Sequence, residues 1–202
     1  MTRIKLCGLS RYSDVEAANR LMPEYVGFVF AKKSKRYVAP QKAKELKRLL
    51  VPDIKAVGVF VDETPKTVAK LLNDGVIDIA QLHGKEEENY IKQLRQFTDK
   101  PIIKAFCIEN ADDLLQAKQS TADYILLDSG AGTGRVFNWK LIQHIKRPYF
   151  LAGGLSLENV EKAINMLHPF AVDVSSGIET DGVKDKRKMV EFVATVRKED
   201  RL

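Results

Sequence analysis

Short runs rich in Val, Ile and Phe alternate with longer amphipathic stretches from one end of this 202-residue chain to the other. That alternation constrains the fold more than any single motif does. Strands are expected at Ile4–Cys7, Tyr25–Phe30, Ala56–Val61, Ile77–Leu82, Pro101–Phe106, Tyr124–Asp128, Tyr149–Ala152 and Phe170–Val174. Each is followed by a stretch with helical spacing of apolar residues. The first such helix is expected to start at Ser13 as N-cap, with Val15, Ala18 and Leu21 on one face. Others start at Pro40, Thr64-Pro65, Glu86, Ala111, Asn138, Ser156 and Lys186. Alternating strands and helices require a parallel sheet. Eight such units predict an α/β fold, a closed (β/α)8 TIM barrel, as a single domain over residues 1–202. A doubly wound open sheet is the alternative, disfavoured by the count and by the lack of a dinucleotide fingerprint after the first strand.

Charge and cysteine content narrow the functional classes. The formal net charge is +6, which suits an anionic ligand. The basic residues are interleaved with acidic ones, as in Gln41-Lys42-Ala43-Lys44-Glu45-Leu46-Lys47-Arg48, where Ala43, Leu46 and Leu50 mark a buried stripe and the lysines a solvated face. No nucleic-acid partner is expected from that pattern. Cys7 and Cys107 make neither a disulfide framework nor a zinc motif. With no apolar signal region behind the first residues and no apolar run near the roughly 20 residues that span a bilayer, a soluble, cytoplasmic protein without a membrane partner is expected.

In a barrel of this kind the chemistry lies where the strands' C-terminal ends meet the following loops. Asp128 ends an apolar strand and is a candidate acid or base; helix capping is its bland alternative. After it, Gly130, Gly132 and Gly134 make a glycine-rich loop whose spacing fits neither a Walker P-loop nor G-x-G-x-x-G. Gly153-Gly154 and Ser175-Ser176-Gly177, at the ends of strands seven and eight, form a stronger pair, because many barrels bind phosphate there by backbone N–H groups. Period-2 alternation sends Lys5 and Cys7 to one face of the first strand and Ile4 and Leu6 to the other. If Cys7 faces the interior, Lys5 does too and needs a partner there; Asp173, sharing parity with Ser175 on the eighth strand, is the expected one. Cys107 reads as a core residue, and Phe137 and Trp139 as packing under the short sixth helix.

The chain resembles the phosphoribosylanthranilate isomerases of tryptophan biosynthesis. The resemblance rests on Ile4-Lys5-Leu6-Cys7-Gly8, Ser34-Lys35-Arg36, Val57-Gly58-Val59-Phe60, Gln81-Leu82-His83-Gly84, Leu127-Asp128-Ser129, Gly132-Thr133-Gly134, Phe137-Asn138-Trp139, Ala152-Gly153-Gly154-Leu155 with Asn159-Val160, and Asp173-Val174-Ser175-Ser176-Gly177-Ile178-Glu179. It implies a phosphate-binding barrel that performs an Amadori rearrangement with no metal or cofactor. The implied partner is a small anionic sugar phosphate, and the implied assembly a monomer or homodimer. It places Asp128 as general acid, Cys7 as general base and Arg36 as anchor for the anthranilate carboxylate. The resemblance also makes Gly153, Gly154, Ser175 and Ser176 substrate-binding, with His83 a polar wall residue or a structural histidine. Two alternatives stand: a related phosphate-binding barrel such as indoleglycerol-phosphate synthase, and a non-catalytic sugar-phosphate-binding barrel. Cys7 together with Arg36 argues against the first, and intact Cys7 and Asp128 against the second.

Overall fold

A computed structural model describes residues 1–128, 139–143 and 145–199. Eight strands follow one another around a closed barrel: β1 (Arg3–Cys7), β2 (Tyr25–Val29), β3 (Lys55–Phe60), β4 (Ile79–Leu82), β5 (Ile102–Cys107), β6 (Tyr124–Asp128), β7 (Tyr149–Leu151) and β8 (Ala171–Val174). All pairings are parallel, and β8 returns to β1 in register from Arg3↔Ala171 to Leu6↔Val174. The expected (β/α)8 architecture is the observed one. Outside the strands lie α1 (Tyr12–Leu21), α2 (Pro40–Leu49), α3 (Pro65–Asn73), α4 (Glu88–Arg95), α5 (Ala111–Gln119), α6 (Val160–Leu167) and α7 (Lys186–Glu199). A 3-10 turn, Trp139–Ile142, stands where the sixth helix was expected. Trp139 is buried there as anticipated; Asn138, Phe137 and the glycines of the preceding loop lie outside the described residues. Among the described residues no helix is long and apolar enough to cross a membrane.

Alternation decides what faces inward. Ile4 and Leu6 join the large apolar layer between barrel and helices, along with Val26, Phe28 and Leu127. The opposite parity fills the barrel with Tyr25, Val57, Ile79, Ile103, Ala105, Leu126, Phe150 and Ala171. At the N-terminal end four rings close the interior. Phe150 meets Tyr25, Tyr124 and Phe170 edge-on at 5.3, 5.8 and 5.6 Å, and the Arg3 guanidinium covers Phe170 at 4.1 Å. Continuing the same columns toward the C-terminal end brings up Cys7, Val29, Val59, Gln81, Asp128 and Asp173, so strand parity alone aims these side chains at one mouth.

Four local expectations are corrected, the simplest being the helix expected from Ser156, which starts at Val160. The first helix is capped through Asp14, whose carboxylate accepts the N–H groups of Ser10 and Arg11 at 3.1 and 3.0 Å, so Ser13 is not the N-cap. The fourth helix starts at Glu88 rather than Glu86. Glu86 is buried instead, accepting Asp62 N–H at 2.7 Å and Gly84 N–H at 2.8 Å and pairing with Lys104 Nζ at 3.2 Å. A buried carboxylate needs such partners, and here they fasten together the loops after β3 and β4. Cys107, expected in the core, is exposed at the end of β5, its thiol 3.7 Å from Glu109.

Candidate active site

A cavity opens at the C-terminal end of the barrel, and it gathers all eight residues expected to form the site: Cys7, Arg36, His83, Asp128, Gly153, Gly154, Ser175 and Ser176. Strands β1 and β6 carry Cys7 and Asp128 to it from positions three strands apart around the ring.

Cys7 sits above a buried ion pair. Lys5 Nζ donates to Asp173 Oδ2 at 2.7 Å, with the lysine side chain fully buried. Burial alone would favour loss of the Lys5 proton, but Asp173 and Cys7 outweigh it and hold the lysine pKa above its ordinary value. For Cys7 the balance is reversed: burial pushes the thiol up, and the Lys5 ammonium offsets only part of that. Space for the sulfur comes from Gly27, its register partner on β2. A Cβ on Gly27 would stand 2.6 Å from Cys7 Sγ and 3.1 Å from Cys7 Cα. Gly27→Ala is therefore expected to displace the thiol and lower kcat/KM by roughly 100-fold, since misplacement by about 1 Å costs that much. Steady-state kinetics beside a thermal melt would separate this from simple overpacking, which costs about 1–3 kcal/mol.

His83 lies across the mouth from that pair. The Gln81 amide nitrogen meets His83 Nδ1 at 2.8 Å. An amide nitrogen only donates, so Nδ1 accepts and the proton of the neutral ring sits on Nε2. Nε2 faces Asp128 Oδ2 at 3.6 Å. Burial draws the imidazole pKa below its ordinary value against the opposing pull of Asp128, which favours this neutral form. His83 lines the cavity with its Nε2 turned toward Asp128. Gln81 carries a signal in the sequence, a polar side chain sharing the inward parity of Ile79.

Arg36 reaches the mouth from the loop after β2. Its stem crosses the turn after β1, where a Cβ on Gly8 would come within 2.5 Å of Arg36 Cδ. The guanidinium lies against Glu179, through Nε–Oε1 and Nη2–Oε2 contacts of 2.6 Å each. Glu179 belongs to a hairpin the sequence did not announce, β9 (Glu179–Thr180) with β10 (Val183–Lys184). Burial pushes the Glu179 carboxyl up, but hydrogen bonds from Arg36 and Lys184 outweigh it and bring it below its ordinary value.

Two turns complete the cavity. Gly153 and Gly154 both have positive φ, +82° and +66°, so the chain after β7 turns in a region that side chains resist. Asn159 holds that turn, accepting Ser156 N–H and donating to the Gly154 carbonyl at 2.9 Å each. After β8, Ser176–Ile178 forms a 3-10 turn pressed so closely on Leu155 that Gly177 has no room for a side chain. Gly153, Gly154, Ser175 and Ser176 bring the backbone of both turns to the wall of the cavity.

A family model described as N-(5'phosphoribosyl)anthranilate (PRA) isomerase matches residues 4–195. The chain belongs to that family. A phosphoribosylanthranilate isomerase of Clostridium acetobutylicum is 45% identical, over 98% of this chain and 99% of its own length. The crystal structure of the isomerase from Thermotoga maritima superposes with a TM-score of 0.90 at 35% identity, over 98% of this chain and 100% of that one. A further isomerase structure, in complex with reduced 1-(o-carboxyphenylamino)-1-deoxyribulose 5-phosphate, has a TM-score of 0.88 at 35% identity, with coverage of 98% and 100%.

Proposed function

We propose that this chain converts N-(5′-phosphoribosyl)anthranilate to 1-(2-carboxyphenylamino)-1-deoxyribulose 5-phosphate in tryptophan biosynthesis, with Asp128 as general acid and Cys7 as general base. The observation that carries this reading is the gathering of a carboxyl and a thiol on one mouth, together with the Arg36 guanidinium and the turns of Gly153-Gly154 and Ser175-Ser176. The substrate has matching parts: an aromatic carboxylate at one end, a phosphate at the other and the reacting sugar between.

The phosphate is assigned to the turns after β7 and β8, where backbone N–H groups and the start of the 3-10 turn suit an anion. Arg36 takes the ring carboxylate, as its planar fork favours, and Val29, Ala31, Val59 and Val61 offer apolar wall for the aromatic ring beside it. Asp128 gives its proton to the furanose ring oxygen as the bond from C1 breaks, and the anilino nitrogen lone pair forms the C1=N bond. The Cys7 thiolate then removes the C2 proton, and those electrons neutralise the iminium to give an enolamine. That species gains a proton at C1 and loses its C2 hydroxyl proton to become the aminoketose. Lys5, paired with Asp173 beneath Cys7, favours the thiolate.

The test is direct. Anthranilate-type fluorescence of freshly made substrate is expected to fall as the enzyme consumes it; no change, where a known isomerase gives one, overturns the proposal. Arg36→Ala is expected to raise KM by roughly 30-fold, the loss typical of truncating one partner of a hydrogen-bonded charge pair. Arg48→Ala, on the exposed face of α2, serves as control. Equal effects would remove Arg36 from the anchor role.

A further inference from the structure

Two of the residues that frame the mouth have no part in the chemistry above, yet they hold its two ends together. Glu179 and Lys184 face each other across β9 and β10. Lys184 Nζ donates to Glu179 Oε1 at 2.6 Å, to the Ser175 carbonyl at 2.8 Å and to Ser175 Oγ at 3.2 Å. Ser175 Oγ in turn donates to the Cys7 carbonyl at 3.2 Å. The Glu179 and Lys184 side chains are 6% and 2% exposed, against 32% for Arg36. Lys184 thus spends its three N–H donors on Glu179 and Ser175, the additional hydrogen bonds that a buried ion pair requires. The arginine is the added member, and it meets Glu179 along its Nε–Nη2 edge. A guanidinium held on that edge keeps its Nη1 side for a second acceptor.

We propose that Glu179 and Lys184 are positioning residues for the substrate. Glu179 sets the direction of the open side of Arg36. Lys184 ties the same carboxylate to the Ser175 turn, so the carboxylate and phosphate subsites share one support. The inference rests on the function proposed above, and it opposes simple electrostatics. Two cations on one carboxylate leave the rim with a net charge of +1 from these three groups. Removing the Glu179 charge would raise that, so a charge effect alone predicts tighter binding of an anionic ring. Positioning predicts looser binding.

The experiment uses three probes on wild type, Glu179→Gln and Lys184→Met. They are the reduced product analogue, the same molecule with a phenyl in place of the carboxyphenyl group, and inorganic phosphate, each measured by calorimetry. Wild type is expected to prefer the carboxylated ligand, and Glu179→Gln to lose that preference by roughly tenfold while binding the other two probes as before. Lys184→Met is expected to weaken all three, inorganic phosphate by about fivefold, as befits loss of charge-assisted hydrogen bonds. Lys184→Gln, which keeps a donor without the charge, replaces it if the methionine variant fails to fold. An unchanged or increased preference in Glu179→Gln overturns the Glu179 role, and unchanged phosphate affinity in the Lys184 variant overturns the shared support. Wild type binding neither analogue would instead refute the proposed function.

Discussion

Asp128→Asn is expected to leave a folded enzyme that turns over substrate about 10²–10⁴ times more slowly, the range that a positioned proton donor supplies. The substitution preserves shape. The Nε2–H of His83, facing Asp128 Oδ2 at 3.6 Å, finds an amide oxygen in place of a carboxylate oxygen, so the wall of the mouth keeps its contact. What disappears is the proton for the furanose oxygen. Without it the leaving group in ring opening is an alkoxide, and the first bond to break carries the whole loss. The fall is expected in kcat, with KM changed little, because the substrate's two anionic ends are held elsewhere. Turnover near the wild-type rate, measured by the same fluorescence decay, would end the assignment of Asp128 as acid.

Cys7→Ala is expected to cost a similar about 10²–10⁴-fold through the second step, and Cys7→Ser nearly as much, because a serine hydroxyl does not ionise near neutral pH. The wild-type pH profile offers an independent check. A base must be deprotonated to act, so its limb rises with pH and flattens above its pKa. Burial places the Cys7 thiol above its ordinary value even with Lys5 beside it. The limb assigned to Cys7 should therefore continue past about 8.5, the pKa of a free thiol, before it levels. A Cys7 limb that levels below neutrality would mean a stabilised thiolate and would contradict the balance of burial and charge described here. Direct titration of the thiolate by its ultraviolet absorbance, with Cys107 replaced by serine, links the limb to this one sulfur.

Much of the site follows from strand parity. Cys7, Gln81, Asp128 and Asp173 reach the mouth because each sits at the inward phase of a strand, two residues along from a lysine or a filler of the barrel core. That periodicity is local and visible in the residues, as was the Lys5–Asp173 pairing that it implied. Roles that depend on distant partners were not visible. Glu86 looks like an ordinary acidic helix start; only the fold brings Lys104 and Asp62 N–H to it. Glu179 and Lys184 lie in two-residue strands too short to show any period, and their meeting with Arg36 spans most of the chain. Cys107 reads as a core residue because its neighbours are apolar, while the last residue of β5 is exposed. The assignments of acid, base and anchor came from family resemblance, since a thiol at a strand end has no chemical signature of its own.

The four rings that close the other end of the barrel also govern traffic. With Phe150, Tyr25, Tyr124 and Phe170 packed across the N-terminal end, and Val57, Ile103 and Leu126 fully buried above them, the described interior offers no through-passage. Whatever enters at the C-terminal mouth must back out by the same opening. Substrate and product, with the same carboxylate and the same phosphate, thus queue for a single berth. Each turnover is an exchange at one door, and the tighter that berth grips its two anionic ends, the longer the finished molecule keeps the next one waiting.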